Sequence, residues 1–489
     1  MHIVHIAAEL APLAKAGGLG DVVEGLSLSQ EKQGHNVHVL LPKYSFLSQK
    51  NLQNLHSEYN IVSTIFDQEN HKFRIYSSDY HGIKLHLIED RLKLLKRKKI
   101  YGYPDDLERF LFFCKASLEY LKHQHPVIDI LHIHDWHTGA CPLLYKAYFE
   151  NKGLKIKKII FTIHNLAYQG ICTKKELEKV AKFPKKFLNK ITQSQKPLQY
   201  NLLKSGIVYS DFVTTVSPTY AQEILTKKFG CGMHHFLRKN KNKIFGILNG
   251  IETNSWNPKT DPFLHKNYSN EDSINKILRA KHLNKHFLQT KFHLEISPKP
   301  LVANVGRLVQ QKAPKLIKVM LEETLKRGGQ FILLATPMDP KTKKEFSDLA
   351  KRYRKNKNVA FIFEYNEQLS HIIFAATDFL IIPSYFEPCG LTQLYAFRYG
   401  TIPIAHKTGG LADTIFDVYD PDIPKSQING YLFEKPLFNP ARKSIQRALK
   451  DFDENRDMQK DMISKSMKLD YSWKSSAKKY LALYKKSTK

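Results

Sequence analysis

Short apolar runs alternate with segments whose apolar residues recur at helical spacing, and this alternation persists along most of the chain. Residues 2–7 form a first apolar run, followed by a glycine-rich loop, Gly17-Gly18-Leu19-Gly20. Val22, Val23 and Leu26 then fall on one face of a helix. A second run, Asn36-Val37-His38-Val39-Leu40-Leu41, stops at Pro42. This is the pattern of a strand–helix–strand unit, and runs without polar alternation suit strands buried on both faces of a parallel sheet. Runs at 128–133, 158–163, 211–216 and 245–248 continue the first set. A polar stretch from 257 to 298 follows. Beyond it, 301–305, 331–335, 359–363, 379–383 and 401–405 read as strands, and Ile317, Met320, Leu321 and Leu325 mark a helix face between the first two. The chain closes in polar helical segments after Asn439. No short repeat and no low-complexity linker interrupts the pattern. Two successive doubly wound α/β domains are expected, with ligands bound beyond the carboxyl ends of the strands.

Composition narrows the class. The chain has 489 residues, 42% hydrophobic and 25% charged, which excludes a disordered or collagen-like protein. No apolar run approaches the ~18 residues that a membrane-spanning helix needs. The first residues lack the cationic start of a secretory signal and read as a strand. Five cysteines, at 114, 141, 172, 231 and 389, are widely spaced with no CxxC pair. A disulfide scaffold or a cysteine-based zinc cluster is not expected, and a reducing cytoplasm is. The formal charge of +30 raises nucleic-acid binding as a reading. The basic clusters at 91–99, 155–158, 174–190, 239–243 and 351–357 are short and scattered, without interleaved aromatic residues. They read as solvated faces, and no nucleic-acid partner is expected.

The chemistry-bearing motifs sit where strands end. Lys15-Ala16-Gly17-Gly18-Leu19-Gly20-Asp21 joins the first strand to the first helix. Glycines admit close backbone approach to an anion, and a helix start and a lysine add positive charge; the glycine spacing fits neither a Walker A loop nor GxGxxG. His132-Ile133-His134-Asp135-Trp136-His137 follows the 128–133 run. Its histidines are compatible with a metallohydrolase, but a third ligand of convincing spacing is lacking, so they are expected to line a pocket. His164-Asn165-Leu166-Ala167-Tyr168-Gln169-Gly170 offers groups suited to reading sugar hydroxyls. Arg307 and Lys312 flank the start of the second set, as two fixed cations for a leaving diphosphate. In Pro383-Ser384-Tyr385-Phe386-Glu387-Pro388-Cys389-Gly390-Leu391-Thr392, a carboxylate precedes a helix start whose N–H groups suit a phosphate. Lys407-Thr408-Gly409-Gly410-Leu411-Ala412-Asp413 adds a further glycine loop.

Taken in order and spacing, these blocks resemble the bacterial glycogen synthases and plant starch synthases, retaining glucosyltransferases of GT-B fold. The likeness continues through Val216-Ser217-Pro218-Thr219-Tyr220-Ala221, Leu248-Asn249-Gly250-Ile251 and Tyr471-Ser472-Trp473, so it runs nearly end to end. It implies two Rossmann-like domains facing a central cleft: 1–247 on the acceptor side, 248–470 for the nucleotide sugar, and 471–489 as a helix packing back on the first. It implies transfer of glucose from ADP-glucose to the non-reducing end of an α-1,4-glucan; the alternative is another retaining GT-B enzyme with a different acceptor or a UDP-sugar. Carried over by motif, Lys15, Arg307 and Lys312 contact the diphosphate, and Glu387 and His164 flank the transferred glucose. Asp135 and Asn249 lie near the sugar. Gly17, Gly18, Asp21, Cys389, Gly390, Leu391 and Thr392 belong to the substrate-binding loops. No metal or other cofactor is expected, and Asp420-Pro421-Asp422 and Asp451-Phe452-Asp453 read as a surface turn and helix positions.

Some positions depart from the family. Ala313-Pro314 stands where glycine usually follows the lysine, which is expected to remove the option of a positive φ. Ala335-Thr336-Pro337-Met338-Asp339 replaces a glycine-rich turn. Tyr395 stands eight residues past Glu387, where sucrose-phosphate-synthase-like enzymes carry a second glutamate.

Overall fold

The structure, a computed structural model, describes residues 1–47, 52, 54–58, 62–125, 127–193 and 196–487. Its contacts divide the chain into two units. One comprises Met1–Gly250 with Trp473–Lys489, the other Ile251–Ser472.

The first unit is built on a ten-stranded sheet. In chain order its main elements are β1 (His2–Ile6), α1 (Gly18–Glu31), β2 (Asn36–Pro42), β3 (Glu69–Tyr80), β4 (Ile83–Asp90), α2 (Asp106–Gln124), β5 (Val127–His134), β6 (Lys155–Ile163), α3 (Leu202–Tyr209), β7 (Phe212–Thr215) and β8 (Ile244–Gly246). The strands lie in the order β8-β7-β6-β5-β1-β2-β4-β3, and two short strands, His56–Ser57 and Val62–Phe66, both pair with β3. All neighbours from β8 to β4 are parallel, while β3 is antiparallel to β4. The continuous apolar runs are the parallel strands, buried along nearly their whole length. The helix that closes this unit comes from the end of the chain (Trp473–Lys485) and packs on α1. Gly25 makes that possible: a Cβ there would come within 1.9 Å of Trp473 Nε1.

The second unit holds α4 (Ile274–Lys291), β9 (Leu301–Leu308), α5 (Pro314–Lys326), β10 (Gln330–Pro337), α6 (Pro340–Arg352), β11 (Val359–Ile362), α7 (Glu367–Ala376), β12 (Phe379–Ile382), α8 (Thr392–Arg398), β13 (Ile402–His406), β14 (Tyr431–Phe433), α9 (Phe438–Glu454) and α10 (Arg456–Ser466). The terminal helix of the first unit is therefore α11. The six strands are all parallel, in the order β11-β10-β9-β12-β13-β14. The order reverses between β9 and β12, the switch point at which doubly wound sheets open a crevice.

One expectation from the sequence, at Ala313, needs correction, and two stretches gain detail. The polar stretch at 257–298 contains an 18-residue helix, α4, whose buried side includes Lys281, Asn284, Lys285 and Gln289. Lys281 Nζ lies 3.1 Å from the Ala375 carbonyl, 3.0 Å from the Tyr399 carbonyl and 3.0 Å from Thr401 Oγ1, so a lysine fills a core position by satisfying backbone groups. Ala313 is left-handed after all, with φ 53° and ψ 63°, so the alanine adopts the positive φ that its side chain was expected to remove. The segment at 335–339 is strand end followed by an Asp339 side chain that accepts from Thr342 N at 2.9 Å and caps α6.

Candidate active site

In the second unit the candidate residues cluster at the switch point. Arg307 is exposed near the end of β9, and among the described residues its guanidinium has no hydrogen-bond or ion-pair partner. It shares a pocket with Gly306, Lys312, Ser384 and Thr392. Glu387 is buried there, bonded through Oε2 to Lys312 Nζ at 2.5 Å and to Ser384 Oγ at 2.8 Å. The turn carrying Glu387 is pinned from several sides. Gln311 receives Tyr385 N on its carbonyl at 2.8 Å and donates Nε2 to the Phe386 carbonyl at 3.1 Å, and His406 Nδ1 meets the Ser384 carbonyl at 2.7 Å.

The Gly409-Gly410 loop closes on the same turn. Gly409 has φ 45°, and a Cβ on it would stand 2.0 Å from the Glu387 carbonyl oxygen. Gly410 N donates to that oxygen at 3.1 Å. Cys389 is buried, Gly390 is left-handed (φ 72°), and Leu391 and Thr392 lead into α8, which has no side-chain cap. Tyr395, in place of the second glutamate, stacks on Trp256 with ring centroids 3.9 Å apart.

In the first unit the order of strands reverses at β1, and the candidates again follow the neighbouring strand ends. Lys15 Nζ lies 2.8 Å from Asp21 Oδ1 across the loop that opens α1. A residue that the motif reading passed over holds this loop. Glu9, 3% exposed, takes Ala16 N at 2.7 Å and Gly17 N at 2.8 Å on one oxygen and Tyr101 OH at 2.7 Å on the other. Gly18 is the first residue of α1, and Gly17 is extended. The only sequence signal for Glu9 was an acidic residue just past an apolar strand.

Asp135 follows β5 with φ 56°, and its Oδ1 accepts from His164 N at 2.8 Å. Burial pushes its carboxyl up to about 7. The structure thus brings Asp135 and His164 together, as backbone anchor and anchored loop. Asn249 is buried, and its Oδ1 has no hydrogen-bond partner among the described residues.

The histidine block behaves differently from expectation. His132 and His134 do not line a pocket; both are fully buried, because alternate strand residues here face the layer made by α1 and α11. They belong to a continuous network: His164 Nε2 meets His134 Nδ1 at 3.1 Å, and His134 Nε2 meets His5 Nδ1 at 3.1 Å. His5 Nε2 meets Gln30 at 2.8 Å, Gln30 donates to Tyr484 OH at 3.0 Å, and His132 joins Tyr484 to Thr162 at 2.7 and 2.6 Å. Desolvation lowers His164 to about 3 and His5 to about 4, so these imidazoles stay neutral. Of the suggested sugar readers near His164, Tyr168 is exposed, while Gln169 and Asn165 are engaged within the chain. Gln169 binds Asn201 and the Cys231 carbonyl, and Asn165 Oδ1 takes Ala167 N in a local turn.

Residues 2–239 match the family model described as the starch synthase catalytic domain, and 288–468 match that of glycosyl transferases group 1. A glycogen synthase of Protochlamydia amoebophila is 39% identical, over 99% of both chains. The chain belongs to the glycogen and starch synthase family. A probable starch synthase 4 of Arabidopsis thaliana is 40% identical over all of this chain, which spans about half (47%) of that relative's length. The solved catalytic domain of starch synthase IV from Arabidopsis thaliana, bound to ADP and acarbose, superposes with a TM-score of 0.92 at 40% identity, covering 99% of this chain and 98% of that one. A sucrose-phosphate synthase from Thermosynechococcus elongatus, 18% identical with a TM-score of 0.60 over 99% and 98% of the two chains, shares the fold. The chain is accordingly a glycogen synthase-type glycosyltransferase of GT-B fold, with two Rossmann-like domains. No helix among the described residues is long and apolar enough to cross a membrane.

Proposed function

We propose that the chain transfers glucose from ADP-glucose to the non-reducing 4-hydroxyl of an α-1,4-glucan, with retention at the anomeric carbon and without a catalytic metal. The observation that carries this reading is the exposed Arg307 at the β9–β12 switch point, without a hydrogen-bond or ion-pair partner among the described residues, in one pocket with Lys312, which buried Glu387 holds. A departing diphosphate gains charge as the glycosidic bond breaks, and a preset guanidinium stabilises that charge without reorganisation. Lys312 is held by Glu387, so its ammonium is already positioned. Glu387 and His164 take sugar hydroxyls, with His164 neutral and its loop fixed by Asp135. Asn249 offers its unpaired oxygen to the sugar. Lys15, steadied by Asp21, supplies a cation beside the start of α1, where Gly17 and Gly18 let the backbone come close to an anion, and Cys389, Gly390, Leu391 and Thr392 present backbone N–H groups to phosphate. With no side chain assigned as nucleophile, the leaving phosphate on the same face accepts the acceptor's proton, and the protein supplies position and charge.

All five cysteines are free, which fits a reducing cytoplasm. The deciding assay measures ADP and UDP release from the two glucose donors, with and without glycogen and with and without chelator. Glycogen-dependent ADP release that survives chelation is expected. Release only from UDP-glucose, or loss of activity with chelator, overturns the assignment.

A further inference from the structure

At the edge of the first sheet where β1 and β5 begin, remote from the loops at their carboxyl ends, three histidines from distant parts of the chain meet. His2 opens β1, His38 lies on adjacent β2, and His125 follows α2 just before β5. Their ring centroids are 4.8, 5.2 and 4.6 Å apart, and one ligand nitrogen from each lies within 4.8 Å of the other two. His38 is buried, and the other two are partly so.

The surrounding hydrogen bonds fix which nitrogens are bare. The Val127 carbonyl can only accept, so His2 Nδ1, 3.1 Å away, carries the proton and Nε2 keeps a lone pair. On the other side Ser77 and Tyr120 donate their hydroxyls to Glu58. Ser77 Oγ and Tyr120 OH lie 2.7 and 3.0 Å from His86 Nδ1, and His86 Nε2 lies 2.9 Å from His38 Nδ1; with His86 neutral and its proton on Nδ1, His38 Nδ1 donates to His86 Nε2. His38 Nε2 is thus also deprotonated. Both Nε2 atoms are buried, and neither has a partner among the described residues. Buried lone pairs with no donor are costly. Neutral imidazoles whose far nitrogens are fixed by a carbonyl and by a hydroxyl–carboxylate relay are the donor set of a late transition metal.

We infer that His2, His38 and His125 form a three-imidazole site for a divalent zinc-class ion, completed by water, which ties β1, β2 and the end of α2 together and takes no part in glucosyl transfer. Tetrahedral zinc at ~2.0–2.1 Å from its ligands places them roughly 3.4 Å apart, so the rings draw in by about 1 Å on binding. Lys84 and the amino terminus are the nearby cations, Glu58 and Asp129 the nearby anions. The other histidine trio, His5, His132 and His134, lacks this readiness, since its members bond one another and Gln30, Tyr484 and Thr162.

The test uses the full chain without a polyhistidine tag, incubated with ZnCl2, freed of loose metal by gel filtration and assayed for zinc. About one equivalent is expected in the wild type and in His132→Asn, and almost none in His125→Gln or His2→Gln, whose partly exposed positions tolerate substitution. Cobalt in place of zinc should give the intense visible bands of four-coordinate Co2+, and zinc should raise the thermal midpoint of the wild type but not of His125→Gln. A wild type without stoichiometric zinc, as when water alone bridges the two Nε2 atoms, overturns the proposal. So does retention of zinc by His125→Gln, or its loss in His132→Asn with His125→Gln unaffected.

Discussion

Asp135→Asn separates the electrostatic cost of the site from its geometry. The buried carboxyl titrates near 7 rather than its ordinary 3.8, a rise caused first by burial and only partly offset by the bonds from His164 and Asn165 N–H. Between about pH 4 and pH 7 the folded state holds a proton that the unfolded state has released. Stability therefore falls as pH rises through that window, levels off above it, and is unaffected below it. At 1.36 kcal/mol per unit, the roughly three-unit shift amounts to about 4 kcal/mol at full development, an upper figure. Asparagine cannot ionise, keeps an oxygen for His164 N, and tolerates the left-handed backbone at φ 56°. The variant should match the wild type near pH 4 and exceed it at pH 8.5, where a gain of this size moves the thermal midpoint by on the order of 10 °C. Thermal unfolding of both proteins across this pH range makes the comparison. A midpoint difference independent of pH, or a wild type more stable at pH 8.5, would show that Asp135 is not the desolvated acid described.

Arg307→Ala should leave the thermal midpoint nearly unchanged, because its guanidinium has no hydrogen-bond or ion-pair partner among the described residues, while lowering turnover by about 10²–10³-fold, the scale of removing one charge-stabilising donor; near-normal turnover refutes its role. Lys312→Ala should lower both turnover and stability, since Glu387 would be left buried without its ammonium, by about 1–3 kcal/mol in unfolding measurements. Gly25→Ala drives a methyl into the Trp473 indole and should lower the midpoint of the first unit by several degrees, an overpacking cost of about 1–3 kcal/mol, read by Trp fluorescence during heating.

Much of the fold is readable in the chain because its parallel strands are buried on both faces and so consist of uninterrupted apolar runs. Where burial is achieved with polar atoms, the signal vanishes. Helix α4 hides Lys281 and Lys285 in its buried side, and only three-dimensional neighbours reveal that their ammonium groups meet carbonyl oxygens and Asp378. The candidate site divides in the same way. Arg307, Lys312 and Glu387 lie at or just past strand ends and carry their chemistry openly. Glu9 acts through backbone N–H groups, and the histidine network joins residues as far apart as His132 and Tyr484, which no local spacing can announce. Ala313 shows the converse: a residue preference against positive φ did not keep the backbone out of the left-handed region.

The last helix of the chain belongs to the first unit, with Tyr484 bonded to Gln30 and His132, and Trp473 lodged over Gly25. A premature stop after Ser472 would consequently spare every strand of the later sheet and injure the earlier one, stripping α1 of its cover and leaving His132 and Gln30 without their shared phenol. Residues 251–472 can be expressed as one uninterrupted stretch, whereas the remainder requires its two pieces spliced or supplied together.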